Sequence, residues 1–320
     1  MKVYTIGHIN PDLDTVASSK SYAEFLAKAK RYPETDIISL HAGGINQETE
    51  YIFNKFSLEL PTDIHNVKIE ENDKFILVDH NEESQRADGI DPARIIEIVD
   101  HHKLNINFTT PIRVDVRPLG STCSIIYELF QSSYLEPEPE IEKIILASIL
   151  SDTVGLKSSL TTGIDVTITN EIAKKYSIDI EKLTFEIFKV KSDIKGLSPI
   201  EIVNKDAKIF DFGGNKVFIG EVETVEPEKV LEQKDKLIQA LEEIKAKKTL
   251  GIAYLFVIDI LKLNAKAIYA TETEKRILEE AFTSAGENGV IDVGPRISRK
   301  KDIAPAIEAV VTGKLPYVRV

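Results

Sequence analysis

Four apolar runs in the first half of the chain each end on a cluster of carboxylates or histidines. The clusters are Gly7-His8-Ile9-Asn10-Pro11-Asp12-Leu13-Asp14, Val78-Asp79-His80-Asn81, Val99-Asp100-His101-His102 and Leu150-Ser151-Asp152. Continuous apolar runs are what strands covered on both faces require. Charged side chains at the ends of such runs need compensation, because burying an unpaired charge is costly. A fold that brings several buried strand ends to one edge, with divalent cations among the carboxylates, satisfies both demands.

The pattern around the clusters supports that fold. Val3–Ile6 reads as a strand and residues 15–30 as a helix, with Val16, Tyr22, Phe25 and Leu26 on one face. Ile37–Leu40 is a second strand, and Gly43-Gly44 opens a loop before a helix through Phe53. Phe75–Val78 and Ile95–Val99 are further strands; helices follow Gly120-Ser121-Thr122 and cover about Ile141–Leu150. Alternation of this kind predicts an α/β fold with a doubly wound, mainly parallel sheet, in which ligands bind beyond the carboxyl ends of the strands. Three clusters fall at strand ends, and Asp152 falls at a helix end.

A length of 320 residues suits two domains. The polar stretch from Lys191 to Pro199, punctuated by Gly196 and Pro199, reads as a linker over 191–198 between domains 1–190 and 199–320. Beyond it, Ala207–Phe212 and Lys216–Glu223 flank Gly213-Gly214-Asn215 as a hairpin. A charged helix is expected over Pro227–Lys247, strands over Gly251–Leu261 and Ala265–Thr271, and a helix over Thr273–Phe282. A basic turn, Ser298-Arg299-Lys300-Lys301, precedes a last helix from Asp302. The second domain is therefore a smaller α/β unit.

The formal net charge of −12 argues against a nucleic-acid binder, which needs a basic footprint. It leaves a small phosphate substrate open, because bound cations invert the local field. Cys123 is the only cysteine, so neither a disulfide framework nor an all-cysteine metal site is available, and a reducing cytoplasm is expected. The N-terminus reads as a strand rather than a cleavable signal, and the apolar stretch Leu250–Leu261 is too short to span a bilayer. Of the six histidines, four lie in the clusters and none follows His102.

Mixed histidine and aspartate ligands suit Mn²⁺, Zn²⁺, Co²⁺ or Fe²⁺ better than Mg²⁺. His8, Asp12 and Asp14 present three ligands from one strand–loop–helix junction; Asp79 can bridge two cations, and His101 and Asp152 can complete the second. Such a pair, roughly 3.5–4 Å apart, clamps the attacking and leaving oxygens of a phosphoryl transfer. Taken singly, an Asp-x-Asp is usually a helix cap, adjacent histidines a solvated loop, and Lys300-Lys301 a solvated face. The four clusters in succession are what favour a metal site.

These clusters resemble the successive motifs of the DHH phosphoesterase superfamily. Ser298-Arg299-Lys300-Lys301 resembles the signature of its DHHA2 second domain. Together they resemble the manganese-dependent, family II inorganic pyrophosphatases over nearly the whole chain. The resemblance implies a DHH metal-binding catalytic domain and a DHHA2 substrate-binding domain. In it His8 and Asp12 bind one metal and Asp14 the other, Asp79 bridges both, and His101 and Asp152 complete the second. His102 faces the substrate as phosphate ligand or proton donor. Lys208, in Asp206-Ala207-Lys208, and the pair Arg299 and Lys300 grip phosphate. Asp14, Asp79 and His102 are the expected catalytic set. Leu13 stands where the family usually has threonine, and it is expected to pack without altering the chemistry.

The implied reaction is hydrolysis of pyrophosphate to two orthophosphates by a water or hydroxide activated between two Mn²⁺ ions, with Co²⁺ as a substitute and Mg²⁺ entering with substrate. The implied assembly is a cytoplasmic homodimer, with no nucleic-acid or membrane partner. An exopolyphosphatase or another DHHA2 phosphodiesterase would use nearly the same metal motifs. A non-enzymatic phosphate or nucleotide sensor would show eroded ligands, and every ligand position is intact.

Overall fold

Side chains that alternate along each strand go to opposite faces of a sheet, and both faces are buried here. The computed structural model describes residues 1–313 and divides into two compact units, Met1–Lys191 and a second beginning at Ser192. In the first unit, β1 (Lys2–Ile9), β2 (Asp36–Ala42), β3 (Thr62–Asp63), β4 (Lys74–Val78), β5 (Ile95–Asp100) and β6 (Arg113–Val116) form one sheet in the order 3-2-1-4-5-6. Every neighbouring pair is parallel. Val3, Ile76, Val78 and Val99 pack against Tyr22 and Phe25 of α1 (Leu13–Ala29) and Ile126 and Phe130 of α3 (Thr122–Ser132). Tyr4, Ile6, Phe75, Leu77 and Ile98 pack on the other face against Ile64, Ala87 and Ile90, which lie in short connections. The remaining helices of the unit are α2 (Gln47–Lys55), α4 (Pro139–Asp152), α5 (Gly163–Tyr176) and α6 (Ile180–Lys191).

This strand order reverses direction between β1 and β4, which opens the crevice where doubly wound sheets bind ligands. His8 lies near the end of β1, Asp79 follows β4, and His101 follows β5. The sheet thus delivers three of the clusters to one edge. Helix α1 starts two residues earlier than the apolar pattern predicts. The Asp12 side chain accepts from Thr15 N at 3.0 Å and caps it, which places Leu13 and Asp14 inside the first turn. Leu13 is fully buried, as packing requires.

The second unit contains α7 (Pro199–Asn204), β7 (Asp206–Phe212), β8 (Asn215–Thr224), α8 (Pro227–Leu231), α9 (Lys234–Lys248), β9 (Ile252–Asp259), β10 (Asn264–Ile268), α10 (Glu272–Phe282), β11 (Gly286–Glu287) and β12 (Val290–Gly294). A π-helical turn over Arg299–Ile303 leads into α11 (Ala304–Val311). The sheet order is 11-12-10-9-8-7, with β8 and β9 its only parallel pair among the described residues. Val217, Tyr254 and Phe256 face α10 and α11; Phe218, Leu255 and Val257 face α7 and α9. Gly213 and Gly214 form the two-residue hairpin turn with φ of 62° and 90°, values that suit glycine and match a primed turn.

Three expectations for this unit are corrected. The helix expected over Pro227–Lys247 is two helices, α8 and α9, and nothing in the sequence at Glu232-Gln233 marks the break. The strand expected to reach Leu261 ends at Asp259, whose side chain accepts from Leu261 N and Lys262 N and turns the chain. The strand expected over Ala265–Thr271 ends at Ile268, because Thr271 caps α10 in a capping box with Glu274. Residues 314–320 of the expected second domain lie outside the described residues.

Candidate metal centre

The crevice at the sheet edge gathers His8, Asp12, Asp14, Asp79, His101, His102 and Asp152. His8, Asp12 and Asp79 form one group whose possible ligand atoms all lie within 4.8 Å of one another; Asp14, His101 and Asp152 form a second, and Asp79, His101 and His102 a third. Asp79 faces both ways. Its Oδ2 is 3.6 Å from His8 Nε2, and its Oδ1 is 3.5 Å from His101 Nε2. His8 Nε2 is 3.7 Å from Asp12 Oδ2, and His101 Nε2 is 4.0 Å from Asp152 Oδ2. These separations exceed hydrogen-bond length. They suit ligands that converge on a shared cation at about 2.0–2.2 Å each.

Both histidines are turned for that role. The Nδ1 of His8 lies 2.8 Å from its neighbour's carbonyl, Ile9 O, and that of His101 lies 3.0 Å from Leu119 O. A donor Nδ1–H in each case leaves Nε2 as the free acceptor, the arrangement in which a ligand's orientation is fixed by its other nitrogen. Asp79 adopts φ of 60°, a left-handed conformation that aspartate tolerates and that turns the chain sharply after β4. Gly7 lets α1 approach β1: a Cβ there would sit 2.2 Å from Thr15 Cγ2.

The carboxylates are held by neutral donors. Thr15 Oγ1 donates to Asp79 Oδ2 at 2.6 Å and Thr122 Oγ1 to Asp79 Oδ1 at 2.9 Å. Asp14 is fully buried and accepts from Ser121 Oγ and Thr122 N, both at 2.7 Å, from Cys123 N at 3.2 Å, and from Ser148 Oγ. Two of these donors are the first free amides of α3, so the positive end of a helix points at the acid. Burial pushes the Asp14 pKa up, yet His101 and the hydrogen bonds from Ser148, Ser121 and Thr122 outweigh it and hold the group below the usual carboxylate range. Asp79 and Asp152 are pushed well above that range by burial and then by Asp14 and Asp12. Four carboxylates in one pocket cannot all ionise together without added positive charge. Divalent cations would supply that charge, and the aspartate–histidine donor set fits manganese.

His102 is half exposed; its backbone N and Nδ1 lie 3.0 and 2.9 Å from Asp100 Oδ1. The Asp100 contact raises its pKa, against partial burial. Asn81 Nδ2 donates to the other Asp100 oxygen at 2.6 Å. Lys208, Arg299 and Lys300 belong to the second unit. Lys208 is exposed on β7 with its Nζ 5.6 Å from the centre of the Phe210 ring, and Lys300 is exposed in the π turn. The Arg299 guanidinium donates to Asp206 Oδ1 at 2.6 Å and Asp206 O at 3.0 Å, and its Nε lies 3.5 Å from Glu221 Oε2. Sequence reasoning missed Thr15, Ser121, Thr122 and Ser148 as holders of the carboxylates, and Asp206 and Glu221 as holders of Arg299. Gly120-Ser121-Thr122 carried the only signal, that of a helix start.

Comparison with known proteins follows the same two-part division. The DHH family N-terminal domain matches residues 2–151, and the DHHA2 domain matches residues 185–310. These define a DHH–DHHA2 protein. The manganese-dependent inorganic pyrophosphatase of Methanocaldococcus jannaschii is 34% identical over 319 residues, covering 97% of this chain and 99% of the relative. On that similarity the chain belongs to the manganese-dependent, family II inorganic pyrophosphatase family. A crystal structure from Methanococcus jannaschii, described as of this family, aligns with a TM-score of 0.61 at 33% identity, covering 96% of this chain and 99% of that one. An exopolyphosphatase-related protein from Bacteroides fragilis shares the fold at 15% identity, with a TM-score of 0.51 and coverage of 98% and 92%.

Proposed function

We propose that this chain hydrolyses inorganic pyrophosphate to two orthophosphates at the crevice of the first unit. The observation that carries the reading is Asp79, whose two oxygens face His8 and His101 separately, as a carboxylate shared by two cations must. His8 and Asp12 would hold one Mn²⁺, Asp14, His101 and Asp152 the other, and Asp79 both. Co²⁺ would substitute, and Mg²⁺ would enter with substrate. Cations held there would supply a nucleophile at neutral pH and offset the charge that builds on phosphoryl oxygens.

The chain's own residues would supply orientation and proton handling. Asp100 would hold His102 so that its Nε2 meets the substrate, as phosphate ligand or proton donor to the leaving group. Thr15 and Thr122, each donating to one Asp79 oxygen, would fix the rotation of that carboxylate between the two cations. Lys208, Arg299 and Lys300 would bind phosphate as the second, DHHA2 domain (199–320) closes on the substrate, bringing charge-assisted contacts and excluding water. The first domain, 1–190, would be the DHH catalytic domain, with 191–198 the linker. We further propose a homodimer formed through the first unit's sheet and a cytoplasmic location, with no nucleic-acid or membrane partner. No described helix is long and apolar enough to cross a membrane. Strand β6 ends the sheet with its outer edge unpaired among the described residues.

A phosphate-release assay with Mn²⁺ and Mg²⁺, comparing pyrophosphate, tripolyphosphate and long-chain polyphosphate, tests the activity. Pyrophosphate should be cleaved far faster than the longer chains. Preference for long-chain polyphosphate would move the chain to an exopolyphosphatase role.

A further inference from the structure

One short segment, Leu119–Cys123, touches three of the proposed metal ligands at once. Leu119 O accepts from His101 Nδ1. Ser121 Oγ, Thr122 N and Cys123 N donate to Asp14, and Thr122 Oγ1 donates to Asp79. It makes the turn from β6 into α3, and a turn alone does not aim five polar atoms at three ligands. Its anchor lies on another helix. Asp165, in the first turn of α5 and fully buried, accepts from Gly120 N at 2.9 Å with Oδ2 and from Ser124 Oγ at 2.6 Å with Oδ1. Thr162 N and Oγ1 donate to Oδ2 at 2.7 Å each and hold the carboxylate in turn. The fit is close on the other side: a Cβ on Gly120 would sit 2.7 Å from Asp165 Oδ2 and 2.6 Å from Thr153 Cγ2.

We propose that Asp165 is a positioning residue for the metal centre, acting through Gly120 and Ser124 to set the Leu119–Cys123 strap that orients His101, Asp14 and Asp79. The proposal rests on the reading of this crevice as a two-cation site. It separates the two halves of that site. The strap touches two ligands of the Asp14–His101–Asp152 group and the shared Asp79, and the contacts that orient His8 and Asp12 come from Ile9 and Thr15. Disturbing Asp165 therefore weakens one cation more than the other. Partners that orient ligands typically contribute about 10–100-fold in metal affinity.

The test is calorimetric titration of the full-length, metal-stripped protein with Mn²⁺, comparing wild type, Asp165→Asn and Ser124→Ala. The Asp165→Asn change keeps the shape and an acceptor for Gly120 N and Thr162, but it removes the negative charge behind all four hydrogen bonds and puts an amide N–H₂ where Ser124 Oγ found an acceptor. Wild type should bind two Mn²⁺. Asp165→Asn should weaken one of them about 10–100-fold and leave the other within about 3-fold, and the paramagnetic coupling between paired Mn²⁺ ions should be lost at stoichiometric metal. Ser124→Ala should give a smaller change of the same kind. A folded Asp165→Asn with both affinities unchanged, or both reduced equally, overturns the proposal. Should that variant not fold, equal effects or none in Ser124→Ala overturn it. A wild type that fails to bind two Mn²⁺ instead removes the two-cation reading itself, and with it this proposal.

Discussion

At the residue scale, the roles proposed for individual side chains separate metal binding from substrate binding. His8 lies in the first unit, and its Nε2 has no ordinary hydrogen-bond partner among the described residues. His8→Gln should weaken one Mn²⁺ in a calorimetric titration while the thermal unfolding of the metal-free protein stays near wild type. Arg299 belongs to the second unit and is not among the proposed metal ligands. Arg299→Ala should leave Mn²⁺ binding intact and lower kcat/KM by about 2–4 kcal/mol of transition-state stabilisation; loss of Mn²⁺ affinity in that variant would refute the division. Glu221, beside Arg299, gives a pH signature. Burial raises its pKa to about 7, against the lowering by Arg299, with Asp206 and Glu223 adding to the rise. A raised carboxylate pKa favours the folded state most when the group is protonated. Its contribution is fully present below the unfolded value near 4.5 and is lost as pH rises through 7. Between pH 5 and pH 8, wild type should lose about 2–3 kcal/mol more stability than Glu221→Gln in denaturant unfolding. Equal pH dependence in the two proteins would contradict the assignment.

At the element scale, the junction of β1 and α1 is the tightest point of the site. Its helix begins at Leu13 because Asp12 caps it, and it lies against β1 because Gly7 has no side chain. Gly7→Ala should cost about 1–3 kcal/mol by overpacking and should weaken Mn²⁺ binding, since Thr15 also holds Asp79. The double variant Gly7→Ala/Thr15→Ser should recover part of both losses. Serine removes the clashing Cγ2 and keeps the hydroxyl. No recovery in unfolding and titration experiments would mean the clash lies elsewhere. Three of the elements absent from the sequence reading share a physical cause. Strand β6, Arg113-Val114-Asp115-Val116, is a short edge strand with polar residues alternating, so it has no continuous apolar run. Helices α5 and α6 bury one side only, with Ile168, Ile172 and Ala173 in the first and Leu183, Ile187 and Phe188 in the second, between charged residues.

At the scale of the whole molecule, each unit has buried clusters of its own. A fragment ending at Leu197 should therefore fold, bind Mn²⁺ and show almost no pyrophosphate hydrolysis; full activity in it would place the phosphate grip in the wrong unit. Light scattering should give twice the 35.8 kDa chain mass at micromolar concentration if the homodimer proposal holds, and a value near 35.8 kDa refutes it. The sequence by itself determined the chain's class. Buried parallel strands need continuous apolar runs, metal sites need carboxylates and imidazoles, and both write themselves as local patterns of residue type, so the α/β sheet and the acidic clusters at its strand ends were legible. Only the tertiary structure decided which atoms hold them. Thr15, Ser121, Thr122, Ser148 and Asp165 are common polar residues, with nothing to single them out where they stand in the sequence. They touch Asp14, Asp79 or the strap beside them across 41 to 134 residues of chain, except where Thr15 meets its neighbour's cap. Hydrogen bonds at such separations follow from the sheet order and the docking of α1, α3, α4 and α5, which are products of packing and leave no periodic mark in the sequence.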